Sequence, residues 1–312
     1  DFVAEYVSAL RKAGLKVGIY YSLLDWRFPG YFEPFNDPGS AQEMVQQFHD
    51  QVRELMTNYG KIDVLWYDGD WISHGNVNVD KAQFWRSKGV NAMVRKLQPH
   101  ILINNRSGID EDLDTPEQHV TASKPGRGWE SCMAIGDSCG WGYIHNNPNM
   151  KTVPQLIQHL VTAAAGEGNF LLNVGPRPDG TIRNEERSRL RAIGRWMEVN
   201  GEAIYSSERC SLNPGMLGLW TAKKNIGYLN VFRWPGKEAV VPLVKTRAVS
   251  AELVGYKGKV QVRQECNGRL LIGGLPSVPP HPAASVIKVV FEEKPEAMSE
   301  KDKSAWLFGK AK

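Results

Sequence analysis

Residues Lys61–Trp71 read KIDVLWYDGDW. A short apolar run stops abruptly at two carboxylates one residue apart, between two tryptophans. The run from Ile62 is too short for a helix, and its lack of alternation predicts a strand covered on both faces, as in a parallel sheet. Packing gives no reason to end such a strand on Asp68. A carboxylate there, flanked by Trp66 and Trp71, is partly desolvated and suited to attack on an electrophilic carbon. Aspartate also caps strands and turns for purely structural reasons. Position alone separates neither these two roles nor Asp68 from Asp70.

Outward from this strand, helix and strand patterns alternate as far as about residue 206. An amphipathic helix is predicted over residues 1–13, with Phe2, Val3, Tyr6, Val7 and Leu10 on its apolar face and Gly14 as its stop. The strand LKVGIYYS follows, then an aromatic loop and a helix over 41–60 carrying Met44, Phe48, Val52, Leu55 and Met56 at helical spacing. Beyond the central strand come a helix near 84–98, the strand ILINNR (101–106), the strand WESCMAI (129–135), a helix over 153–166, the strand NFLLNVG (169–175) and a helix over 184–201. Polar residues recur at the ends of these strands: Tyr20, Tyr21, Asp68, Asn105, Arg106, Glu130 and Asn173. A (β/α)8 barrel builds its active site at the C-terminal ends of its strands, so a TIM-like barrel is the expected fold of residues 1–206.

Such barrels need about 250 residues, so this one is expected to lack roughly its first two βα units. The chain also opens inside a helix with no initiating Met, which gives the same expectation. From 207 to 294, segments such as GLWTAKK, IGYLNVFRW, KVQVRQE and SVIKVVFE are short, β-rich and bounded by Gly, Pro, Asn and Lys, predicting a C-terminal β-sandwich. Residues 295–312 form a charged tail expected to fray.

Composition narrows the function. The net charge of +4 comes without a dense basic patch, so no nucleic-acid partner is expected. No run of eighteen apolar residues occurs, so no transmembrane helix or membrane partner is expected. The four cysteines lack the paired spacing and nearby histidines of a zinc site; Cys132 and Cys139 either pair or stand as separate thiols. VGPRPDG and GLPSVPP lack the phosphate-loop pattern. Neither a metal nor an organic cofactor is implied. Many aromatic residues sit beside Gly, Asp and Asn, where stacking on a sugar is favourable.

Acid–base work on a glycosidic bond requires a second carboxylate. Glu117, in EDLDTPEQH, belongs to a polar loop; Glu130 opens WESCMAI. Spacing does not choose between them, and either is also suited to a solvated loop or a structural hydrogen bond. Arg106 is placed to pair with a carboxylate or donate to a sugar oxygen. Tyr20, Trp66 and Trp141 offer an aromatic wall or part of the core.

Seven segments taken together resemble the family 29 glycoside hydrolases, the α-L-fucosidases: VGIYYSLLDWRF, IDVLWYDGDW, INNRSG, DTPEQH, GWESCMAI with the later GWGY, GNFLLNVGPRPDG and RWMEVNGEAIY. They occur in family order over residues 1–206, and a β-domain follows as in the family. The resemblance implies a retaining exo-α-L-fucosidase acting on fucosylated glycans through a covalent intermediate. It matches Asp68 to the nucleophile, leaves Asp70 at a variable position, and matches Glu117 to the acid/base with Glu130 in reserve. Tyr20, Trp66 and Arg106 match positions that line the sugar pocket, and Trp141 is a further candidate for substrate binding.

Three departures stand out. The family's consecutive-histidine segment is not in this chain, SCGWGY replaces SWGY, and NNRSG replaces NDRWG. These departures keep a second class of function in view, a non-catalytic carbohydrate-binding protein or an inactive fragment. Fucosylated glycans are met mostly outside the cytosol, which implies a secreted or periplasmic protein.

Overall fold

The computed structural model describes residues 1–72, 79–136, 140–147 and 149–302. The chain divides into two compact units, residues 1–115 with 124–128, and residues 116–123 with 129–312.

In the first unit, α1 (Phe2–Lys12) starts where the Asp1 carboxylate accepts from the backbone N–H groups of Val3 and Ala4. It leads to β1 (Gly18–Ser22), a short α2 (Pro29–Phe32) and the long α3 (Pro38–Asn58). The aspartate–proline start signal places α3 ahead of the expected Ala41. Asp37 accepts from Ser40 N at 3.0 Å, and Pro38 fills a first-turn position that needs no donor. After β2 (Val64–Asp68), the helix expected near 84–98 is two helices, α4 (Lys81–Phe84) and α5 (Ser87–Leu97). Trp85 breaks them apart: its ring is fully buried, its indole N–H donates to Asp70 O at 2.9 Å, and Arg86 takes a left-handed φ of 50°. β3 (Leu102–Ile103) and β4 (Leu113–Asp114) follow.

The parallel order is β1–β2–β3, with Ser22 opposite Asp68, Tyr20 opposite Trp66 and Leu65 opposite Ile103. Strand alternation assigns the two faces. Ile19, Leu65, Tyr67 and Ile103 are buried against Phe48 and Val52 of α3 and Val90 and Val94 of α5. Tyr20, Trp66 and Asp68 share the opposite face with Leu102, where Tyr20 and Leu102 remain exposed. The expectation of strands covered on both faces therefore fails on the face shared by Tyr20, Trp66 and Asp68.

In the second unit, β5 (Gly128–Ala134) lies parallel to β6 (Asn169–Asn173), pairing Glu130 with Asn169 and Ala134 with Asn173. α6 (Val153–Ala165) opens with a reciprocal cap between Thr152 and Gln155, and α7 (Asn184–Asn200) runs on into a 3₁₀ turn at Gly201–Ala203. Eight strands then follow: β7 (Glu208–Arg209), β8 (Gly218–Lys223), β9 (Ile226–Val231), β10 (Glu238–Val241), β11 (Ala248–Leu253), β12 (Gln261–Gln264), β13 (Leu270–Gly273) and β14 (Ser285–Phe291). They form two antiparallel sheets, β11–β14–β9–β8–β7 and β10–β13–β12.

Both sheets feed one core. Leu229, Val231, Ile287 and Val289 of the larger sheet meet Ala239, Val241, Leu270 and Ile272 of the smaller. The alternate residues Tyr228 and Val286 face the other way, onto Ile157, Val161 and Trp196 of α6 and α7. The larger sheet is thus buried on both sides, which is why SVIKVVF is nearly free of polar residues.

Among the described residues the parallel strands form open sheets rather than a closed barrel, because β1 and β6 each pair on one side only. The fold is mixed α/β followed by an antiparallel β-sandwich. Ala297 bridges to Val244 and packs on the sandwich core. Residues 303–312 lie outside the described residues, as does Cys139 and with it the Cys132–Cys139 alternative.

Candidate active site

In β2, period-two alternation points Trp66 and Asp68 to one face, and the parallel register sets Tyr20 of β1 beside Trp66. The Tyr20 and Trp66 rings stack with centroids 5.7 Å apart and planes 21° from parallel. From β1, the Tyr20 hydroxyl donates to Asp68 Oδ2 at 2.8 Å. Arg106, three residues past β3, sends Nη1 to Asp68 Oδ1 at 2.9 Å, with its Cζ 4.7 Å from the centre of the Trp66 ring. The Asp68 and Arg106 side chains are only 19% and 15% exposed, so this pair is screened far less than a surface one. Of the residues expected from the sequence, Asp68, Tyr20, Trp66 and Arg106 are thus brought together in one cluster.

Partial desolvation of its hydroxyl end, followed by the hydrogen bond to Asp68, pushes the Tyr20 phenol up to about 12. It therefore stays protonated at ordinary pH and acts as a donor to the carboxylate. Asp70 is engaged elsewhere, its carboxylate held by Lys81 Nζ at 3.0 Å and its carbonyl by Trp85. Gly69 between the two aspartates has φ of +70°, and this left-handed residue turns the chain away immediately after Asp68.

Two residues in the cluster escaped the sequence reading of the site. Asn104 is fully buried; its Nδ2 donates to Tyr67 O and its Oδ1 accepts from Tyr67 N, both at 2.8 Å. Its side chain takes over the ladder where β3 stops, which is why the strand expected over 101–106 ends at Ile103. Thr115 holds the far edge of the Arg106 guanidinium, accepting from Nε on its hydroxyl at 2.8 Å and from Nη2 on its carbonyl at 2.9 Å. The only signal in the sequence was a pair of asparagines closing an apolar strand.

The remaining candidates belong to the second unit. Glu117 is exposed on a segment that runs parallel to β5, opposite Cys132, and its carbonyl lies 2.8 Å from His119 Nδ1. Glu130 is half-buried at the opening end of β5. This agrees with its place at the opening of WESCMAI and removes it from the residues expected at C-terminal strand ends: its partner Asn169 starts β6, whereas Asn173 at the far end is level with Ala134. Trp141 is exposed, and its carbonyl accepts from Asn173 Nδ2 at 2.8 Å.

The family described as Alpha-L-fucosidase matches residues 1–202. This chain belongs to that family. Tissue alpha-L-fucosidase of Mus musculus is 29% identical over 299 residues, which cover 90% of this chain and 64% of the mouse protein. Alpha-L-fucosidase of Dictyostelium discoideum is 28% identical over 277 residues, 83% of this chain and 58% of that protein. The chain therefore spans less than two thirds of the length of these curated relatives. Among solved alpha-L-fucosidase structures, isoenzyme 1 from Paenibacillus thiaminolyticus superposes with a TM-score of 0.76 at 29% identity, covering 94% of this chain and 76% of that one. A trapped covalent intermediate of the Bacteroides thetaiotaomicron alpha-L-fucosidase, formed with 2-fluoro-fucosyl fluoride, gives 0.77 at 25% identity over 93% of this chain and 71% of that one.

Proposed function

We propose that this protein is a retaining exo-α-L-fucosidase that removes terminal α-L-fucose from glycans through a covalent fucosyl-enzyme intermediate on Asp68. The observation that carries this reading is the grip on Asp68: one oxygen on Tyr20, the other on Arg106, beside the face of Trp66. Arg106 pairs with the carboxylate, and two fixed donors, Arg106 and Tyr20, hold its plane in one orientation for attack on the anomeric carbon. Each oxygen retains a lone pair, so neither donor has to leave before the new C–O bond forms. Trp66 offers an apolar wall to a sugar face, and the exposed ring of Trp141 is assigned to the same role. A covalent intermediate has been trapped in the Bacteroides relative, which supports the two-step route.

Glu117 is the proposed acid/base. Protonated, it donates to the departing glycosidic oxygen; deprotonated, it takes a proton from the water that releases fucose. Its place in the matched family segment favours it over Glu130, which opens a strand rather than closing one. In this reading residues 1–206 are part of a (β/α)8 barrel and 207–294 an accessory sandwich. The substrate class implies work outside the cytosol, in a secreted or periplasmic protein.

The test is the configuration of the first product. The intact protein, given an aryl α-L-fucoside and followed by proton NMR, releases α-L-fucose before mutarotation. β-L-Fucose released first overturns the covalent route. Fucose binding without turnover supports the non-catalytic alternative instead.

A further inference from the structure

Asp68 is held by Arg106, and the structure shows what holds Arg106. Its guanidinium has one edge, Nε and Nη2, turned away from Asp68, and both atoms donate to Thr115. Thr115 is almost fully buried, 6% exposed, and ten residues from Asn105 along the chain. Asn105 Oδ1 accepts from Thr115 N at 3.2 Å and lies 2.9 Å from Thr115 Oγ1. The backbone N–H is a donor only, so the atom facing it is the amide oxygen, and the amide orientation is fixed. An amide oxygen cannot donate, so the Thr115 hydroxyl must point its single proton at Asn105. The hydroxyl's free lone pairs then face Arg106 Nε–H. Every donor and acceptor in this chain of contacts has one possible direction.

We propose that Asn105 and Thr115 form a polar relay that positions Arg106 to orient Asp68. The inference rests on the fucosidase reading above. Thr115 is a positioning residue, acting on the reaction only through the guanidinium. Thr115→Val keeps the shape but leaves Nε–H facing a methyl group in a site that water enters poorly. Nη2–H stays on the Thr115 carbonyl and Nη1–H on Asp68, but Nε–H loses its anchor, and the hold on the orientation of Asp68 loosens.

The test is a double-substitution cycle on the intact protein, reading kcat/KM for an aryl α-L-fucoside and the melting temperature of each variant. Thr115→Val lowers kcat/KM about tenfold, the scale of one hydrogen bond to a charged group. Thr115→Ser, which restores the hydroxyl, returns activity to within about twofold of the wild type. In an Arg106→Lys background, which has no Nε–H to hold, Thr115→Val lowers the rate further by less than about twofold. A Thr115→Val enzyme as active as wild type overturns the relay. So does a full tenfold loss in both backgrounds, which marks Thr115 as acting independently of Arg106. A wild type without turnover defeats the fucosidase reading instead; the relay is then judged from the melting temperatures, where non-additivity supports it and simple additivity overturns it.

Discussion

Asn104→Ala removes a fully buried side chain that sets the end of β2. Asn104 and Tyr67 are both fully buried, and the two 2.8 Å bonds between them are the ladder for Tyr67 where β3 has stopped. Deleting the amide orphans one backbone N–H and one backbone C=O in a dry environment. At about 1–3 kcal/mol for each unsatisfied group, with partial relaxation, the expected loss is about 3–4 kcal/mol. That is a large share of the roughly 5–15 kcal/mol that holds a domain together. In urea unfolding followed by tryptophan fluorescence, a slope of about 2–3 kcal/mol/M converts this into a midpoint lower by about 1–2 M. Asn104→Asp gives an independent check. It keeps the acceptor for Tyr67 N but sets a buried carboxylate against Tyr67 O. Burial raises the pKa of such a group, so the penalty is complete above its folded pKa and relaxes as pH falls through it and the acid becomes a donor. A midpoint for Asn104→Ala within about 0.3 M of wild type refutes the assignment of this amide as a backbone substitute.

Other outcomes follow from the same structure. Gly69→Ala forces a Cβ onto a residue with φ of +70°, 2.8 Å from Ser22 Oγ and 2.9 Å from the Leu24 side chain. A loss of about 2–3 kcal/mol in thermal or urea unfolding, with reduced turnover, is expected, and a wild-type melting curve contradicts it. Glu202 accepts from Tyr228 Oη at 2.6 Å and pairs with Lys288 Nζ at 3.0 Å, contacts that hold its carboxyl below the usual range. A depressed folded pKa means the stabilisation is present above the unfolded value and is lost as pH falls through the folded one. The group is half exposed, so Glu202→Gln costs at most about 1 kcal/mol at pH 7 and the difference from wild type shrinks toward pH 3. A difference that grows on acidification reverses the sign and refutes the assignment.

Much of this was legible in the sequence, for identifiable reasons. The end of β2 at Asp68 was visible because an apolar run met a carboxylate and a glycine, signals that act within a few residues. The sandwich strands were visible because turn residues bound them on both sides. The start of α3 was missed although Asp37 and Pro38 form a standard cap, since the apolar periodicity begins only at Ala41. The break at Trp85 was not visible, because the cause is a contact with Asp70 fifteen residues earlier. Thr115 and Asn104 were missed for the same kind of reason. Nothing local distinguishes a threonine that holds an arginine from one in an ordinary loop; only the folded return of residues 105–115 brings the two together.

The central claim is that Asp68, and not Asp70, forms the covalent bond. Asp68→Gly in the intact protein, assayed on an aryl α-L-fucoside with and without azide, tests it most directly. Removal of the nucleophile lowers kcat/KM by about a thousandfold or more. Azide, entering the vacated β face, restores turnover and yields β-L-fucosyl azide. Asp70→Gly, which loses only the tie to Lys81, retains activity within about tenfold of wild type and gives no azide product. An unchanged rate for Asp68→Gly, or azide rescue in the Asp70 variant instead, contradicts the account.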